Sequence, residues 1–187
     1  MTKLIYITHP SVEIVPNIRI DTWQLSEEGQ KAAKRLSKLN FYKNVRLVYS
    51  SREPKAIETA QILSEKYHFK IKSYKELNEL NRSSTGFILP DEYIKAIQYV
   101  YQYPDRSFQG WEKLDKSYER NTEVLQEIIK KHVGDLIIII GHGQSGTLIK
   151  CWIKKIKPSW AEDPKTTACY FIADLNTNKI LQDWTKY

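Results

Sequence analysis

Two short β-branched runs, each closed by a histidine, constrain this chain more than any other feature. Lys3-Leu-Ile-Tyr-Ile-Thr precedes His9, and Leu136-Ile-Ile-Ile-Ile-Gly precedes His142. Neither run alternates apolar with polar residues. Each therefore reads as a strand buried on both faces, the habit of a parallel sheet covered by helices. In open α/β sheets, ligands bind beyond the carboxyl ends of such strands. If the two strands are neighbours, their terminal imidazoles face one pocket although about 130 residues separate them.

The rest of the sequence alternates strand and helix. After strand Lys3–Thr8 comes an irregular stretch, Val12–Trp23, containing Pro16. Ser26 is an N-cap candidate for a helix whose apolar stripe is Ala32, Ala33, Leu36 and Leu39. Arg46–Tyr49 and Phe69–Tyr74 read as strands, with a helix over Lys55–Tyr67 between them. Leu77–Pro90 is irregular and Asp91–Tyr103 helical, so residues of about 80–108 form a small cap-like insertion. A long helix follows over about Gly110 to His132, then strand Leu136–Gly141 and helix Gln144–Lys155. Thr167–Leu175 and Lys179–Trp184 form a closing β pair around the turn at Asn176–Asn178. This order predicts one α/β domain, a three-layer α/β/α sandwich with a mostly parallel central sheet.

Bulk properties exclude several classes. At 187 residues the chain fits one domain with a substantial core. Its longest apolar run is far short of the ~20 residues that span a bilayer, so no membrane partner is expected. No signal peptide is visible, and two cysteines without Cys-x-x-Cys spacing make a disulfide framework or zinc site unexpected. A reduced, cytoplasmic setting is the default. The net charge of +7 comes from lysines spread along the chain, with no nucleic-acid-binding motif, so no nucleic acid is expected.

The chemistry concentrates at the two strand ends. A neutral imidazole attacks phosphorus when one ring nitrogen is free and the other is held as N–H, and Pro10 fixes the exit path beside His9. After His142, Gly143 opens a helix whose free N–H groups and positive dipole end would face an anion. His142 would donate to a phosphoryl oxygen, and a glycine beside it permits close backbone approach.

Five ordered motifs are shared with one family. They are Ile7-Thr8-His9-Pro10, Leu25-Ser26-Glu27-Glu28-Gly29, Ser51 through Lys55-Ala56 to Thr59-Ala60, Leu77-Asn78-Glu79, and His142-Gly143 at the end of an apolar strand. In this order the chain resembles the histidine phosphatase superfamily, the phosphoglycerate-mutase-like proteins, over essentially its whole length. That resemblance implies a phosphorylated His9, with His142 and Glu79 as further catalytic groups. It also implies a phosphoryl transfer that requires no metal and no cofactor. Two family arginines are replaced, one by Thr8 and one by Lys55. Lysine offers a point charge and threonine only a hydroxyl where arginine offers a planar fork. Arg82, three residues past Glu79, is the expected substitute phosphate ligand, together with Thr8, Lys55 and Gly143.

Glu79 is the expected general acid, because a departing ester oxygen needs a proton. Glu76 competes with it in Lys75-Glu-Leu-Asn-Glu79. The resulting expectation is a metal-independent phosphatase acting on a phosphate monoester, small molecule or phosphoprotein. The alternatives are a phosphomutase or a phosphate-binding module with weakened catalysis. Substrate identity and oligomeric state are not legible in the chain.

Overall fold

The computed structural model describes residues 2–187. Six strands, β1 (Lys3–Thr8), β2 (Leu47–Ser51), β3 (Lys70–Tyr74), β4 (Leu136–Gly141), β5 (Cys169–Asp174) and β6 (Lys179–Lys186), form one sheet in the order β3-β2-β4-β1-β5-β6. The first four in that order run parallel, and β5 and β6 add an antiparallel edge. Helices α1 (Glu27–Leu36), α2 (Pro54–Tyr67), α3 (Pro90–Gln102), α4 (Leu114–Lys131) and α5 (Gly143–Lys154) complete the architecture. Among these residues no helix is long and apolar enough to cross a membrane.

Period-two alternation within the buried strands feeds two cores. Leu4, Tyr6, Ile137 and Ile139 pack beneath α4 and α5 with Leu125, Ile128 and Ile149. Ile5, Ile7, Ile138 and Ile140 face the other layer with Leu36, Ala56, Ala60 and Leu63 of α1 and α2. The α/β/α sandwich follows directly from strands that are apolar on both sides. Ser26 caps α1, accepting the Gly29 N–H at 3.1 Å. Element ends differ from expectation by a few residues. The largest shift is α4, which begins at Leu114 because Phe108–Trp111 makes a turn with Gly110 at φ 84°.

Residues 80–113 leave the sheet, carry α3 and return. They bury Leu80, Ala96, Ile97, Val100 and Trp111 against Leu114 of α4 and Leu148 of α5. The two ends of this excursion meet. The Glu112 N–H donates to the Asn81 carbonyl at 2.8 Å, and the Asn81 N–H donates to Glu112 Oε2 at 3.0 Å.

The chain leaves β1 toward β2 on one side and leaves β4 toward β5 on the other, so the sheet's switch point lies between β1 and β4. Their register ends at Thr8 opposite Gly141, and the His9 N–H donates to the Gly141 carbonyl at 2.9 Å. The next residues, His9 and His142, therefore emerge side by side.

Candidate active site

The two imidazoles meet edge to face, with ring centroids 5.1 Å apart. His9 Nδ1–H donates to the Pro10 carbonyl at 2.7 Å. A carbonyl only accepts, so the neutral ring carries its proton on Nδ1 and leaves the Nε2 lone pair free. Burial, with His142 and Lys55 nearby, pushes the His9 pKa down to about 3. Burial also drives His142 well below the usual histidine range, ahead of the charges of Lys55, Arg120 and Arg82. Both rings are neutral near pH 7, the state a nitrogen nucleophile needs.

His142 is held at two points. Its Nε2 lies 2.7 Å from Ser51 Oγ, and its backbone N–H donates to Tyr6 Oη at 3.1 Å. Tyr6 Oη also lies 2.9 Å from Ser145 Oγ. The close approach falls at Gly141, where a Cβ would stand 2.1 Å from Tyr6 Oη, and not at Gly143, where it would only touch Pro164 at 3.5 Å. The buried His142 Nδ1 has no partner among the described residues.

Glu79 occupies the place expected for a phosphate at the start of α5. Its carboxylate accepts the Gln144 and Ser145 N–H groups, both at 3.1 Å, and the Leu80 N–H at 3.0 Å. The helix terminus is thus capped by the chain's own acid. Gly143 lines the cavity, and its N–H makes no bond to the described residues. Burial raises the Glu79 pKa to about 7, reinforced by the nearby Glu53 charge and opposed by its N–H donors and Arg82. It can therefore hold and release a proton near neutrality.

Glu53, which sequence reasoning missed, links the parts. Its Oε2 pairs with Lys55 Nζ at 2.5 Å, and both side chains are buried. Its Oε1 accepts the Glu79 N–H at 2.7 Å and lies 3.7 Å from His142 Nε2. Lys55 also donates to the Ile20 carbonyl at 2.9 Å. The expected phosphate ligand lines the cavity, but it is already neutralised by a carboxylate two residues away. An acid and a base at that spacing, entering a helix, was the available signal.

Thr8 lies elsewhere than expected. Its hydroxyl accepts the Cys169 N–H at 2.9 Å and donates to the Cys169 carbonyl at 3.1 Å, joining β1 to β5. It is buried and does not line the cavity, because both hydrogen-bonding roles of the hydroxyl are taken up by sheet backbone. Arg82 does line the cavity. Its guanidinium stands 4.6 Å over the Tyr93 ring and forms no ion pair among the described residues. The nearby Ser83 hydroxyl donates to Asn81 Oδ1, and Thr85 Oγ1 accepts the Trp111 indole N–H.

Arg120, also missed, fixes the acid from α4. It donates to both carboxylate oxygens of Glu112 and to the carbonyls of Glu76, Asn78 and Glu79. A mid-helix arginine carries no sequence signal of such a task, because its acceptors are backbone carbonyls of a distant loop. Among the described residues no group of three or more His, Cys, Asp or Glu side chains could hold a metal ion.

Residues 16–180 match the histidine phosphatase superfamily (branch 1). The chain is 30% identical to phosphoglycerate mutase-like protein 4 of Arabidopsis thaliana over 140 residues, 71% of this chain and 58% of that protein. It thus spans under two thirds of that relative's length. It is 25% identical to phosphoserine phosphatase 1 of Hydrogenobacter thermophilus over 150 residues, 76% of this chain and 71% of that one. The solved structure of Bacillus stearothermophilus YhfR superimposes with a TM-score of 0.82 at 20% identity, covering 97% of this chain and 95% of the other. The chain belongs to the histidine phosphatase superfamily.

Proposed function

We propose that the protein is a metal-independent phosphatase that hydrolyses a phosphate monoester through a phosphohistidine on His9. One observation carries this reading: a neutral His9 with Nδ1–H anchored and Nε2 free, beside His142 and in one cavity with an acid that titrates near 7. In the first step His9 Nε2 bonds to phosphorus, the ester P–O bond breaks, and protonated Glu79 gives its proton to the departing oxygen. In the second, Glu79 carboxylate takes a proton from water, the water oxygen bonds to phosphorus, and the P–N bond breaks to release orthophosphate. His142 Nδ1 and Arg82 stabilise the transferring oxygens. The phosphatase in the name of the Hydrogenobacter relative supports hydrolysis. The mutase-like name of the Arabidopsis relative keeps phosphoryl return to substrate as the second reading.

The test is turnover of an alkyl phosphate with chelator present, alongside mass analysis of acid-labile phosphate on His9. Native turnover is abolished by His9→Ala and falls ~10²–10⁴-fold in Glu79→Gln. Turnover indifferent to His9→Ala would refute the mechanism. Phosphate binding without a phosphohistidine would instead favour a binding module, the reading that the Glu53–Lys55 pairing makes reasonable.

A further inference from the structure

Strand order brings a third side chain against the pair of imidazoles. β2 flanks β4 on the side away from β1, with Ser50 opposite Ile140. Ser51, the last residue of β2, therefore meets His142 from one side while His9 meets it from the other. Ser51 is fully buried.

The hydrogens of this cluster can be counted. A hydroxyl has one hydrogen to donate and two lone pairs to accept with. Ser51 Oγ accepts the Glu53 N–H at 3.3 Å, and its other bond among the described residues is the 2.7 Å contact with His142 Nε2. If Nε2 carried a proton, it would donate to Ser51 Oγ, and the hydroxyl hydrogen would be buried with no acceptor. If Nε2 is unprotonated, the hydroxyl donates to it and the serine is satisfied. Burial keeps His142 neutral, so the ring then holds its single proton on Nδ1. Either arrangement leaves one hydrogen unpaired until a ligand arrives. In the first it sits on the serine, where nothing can reach it. In the second it sits on Nδ1, the unpartnered nitrogen of a ring that lines the cavity with His9. Unpaired buried donors are costly, so the arrangement that a ligand can complete is favoured.

Glu53 makes the serine necessary. Its Oε1 stands 3.7 Å from His142 Nε2, outside hydrogen-bond range, and accepts the Glu79 N–H at 2.7 Å. A carboxylate draws a proton onto the imidazole nitrogen that faces it. The Ser51 hydroxyl occupies Nε2 with a donor instead. The two rings thus carry their protons on the same atom but are tied at opposite ends. His9 is anchored through Nδ1 and His142 through Nε2.

We propose that Ser51 is a positioning residue for phosphoryl transfer. Its hydroxyl fixes His142 as the Nδ1–H tautomer, so that this ring offers a donor to the transferring oxygens while the His9 ring offers a lone pair to phosphorus. The catalytic half of this inference rests on the phosphatase reading above. Without the hydroxyl, Nε2 takes the proton and turns it toward Glu53, and Nδ1 meets a phosphoryl oxygen with a lone pair.

Long-range nitrogen–proton correlation spectra of isotope-labelled protein read the tautomer directly, because protonated and unprotonated ring nitrogens are well separated. Comparison with His142→Gln picks out the signals of His142. The native ring should show Nδ1 protonated and Nε2 unprotonated. In Ser51→Ala the proton moves to Nε2, and kcat and kcat/KM for an alkyl phosphate fall together by roughly 10²–10³-fold, the cost of losing one preorganised donor. Ser51→Thr keeps the hydroxyl, the tautomer and most of the rate. A native ring protonated on Nε2, or an Nδ1–H that survives Ser51→Ala, overturns the tautomer assignment. A proton that moves in Ser51→Ala without loss of rate overturns the positioning role. A proton that moves in a chain whose native form turns over no phosphate ester refutes the phosphatase reading and leaves the tautomer assignment standing.

Discussion

Replacing Glu53 by glutamine keeps the shape of the site and removes one charge. In the native protein that charge lies 2.5 Å from Lys55 Nζ, with the two side chains 4% and 5% exposed. Breaking a buried pair by removing one partner costs about 3–5 kcal/mol, because the other charge is left uncompensated. Glutamine retains an acceptor for the Glu79 N–H, which Glu53 holds at 2.7 Å, so about 3 kcal/mol is expected. In a domain of this size 1 kcal/mol shifts Tm by about 2–4 °C, giving a fall of roughly 6–12 °C. Orthophosphate entering beside Lys55 replaces the missing negative charge. The variant should bind phosphate about tenfold more tightly, equivalent to about 1.4 kcal/mol, and saturating phosphate should recover much of its lost stability. Scanning calorimetry with and without phosphate reads both effects. A Tm loss under about 2 °C with unchanged phosphate affinity would refute the idea that Glu53 neutralises Lys55.

Two further perturbations separate structure from chemistry. Thr8→Val removes a hydroxyl that satisfies both the N–H and the carbonyl of Cys169, so it should cost about 1–3 kcal/mol in denaturant unfolding and leave kcat/KM unchanged. A raised KM would return Thr8 to the phosphate site. Glu79 holds its proton below about pH 7, so kcat/KM for an alkyl phosphate should fall about tenfold per pH unit above that point. For 4-nitrophenyl phosphate, whose departing oxygen needs no proton, this limb should vanish. A shared limb would assign the titration to another group.

The layered fold was legible because β1 and β4 are apolar on both faces, a pattern that few other architectures accommodate. The neighbourhood of His9 and His142 followed from the same runs. What the sequence did not reveal were relations created by the fold. Nothing local distinguishes the Thr8 hydroxyl, which bonds across to β5, from one that faces the cavity. Residues around Lys55 advertise a cation, but whether Glu53 turns toward it depends on the strand-to-helix turn that buries both. The start of α5 was read as facing a phosphoryl group, and the group that takes its N–H bonds is Glu79, about 65 residues earlier in the chain. Arg120 was invisible because its acceptors are the backbone of another segment.

The meeting of Asn81 with Glu112 makes the excursion between them a detachable module. Its neck is closed by backbone and carboxylate hydrogen bonds, and Arg120 clamps Glu112 and the Glu79 segment together just outside that neck. Whatever the excursion's length, Glu79 keeps its place over α5. Doubling the length of such a loop costs only about 0.6 kcal/mol of closure entropy. Tyr93, Trp111 and Arg82, which line the cavity, lie inside the neck, whereas His9, Glu53, Glu79 and His142 all lie outside it. Grafting a different excursion between Arg82 and Glu112, with both kept, should therefore exchange one substrate preference for another while His9, Glu79, Arg82 and His142 stay where they are.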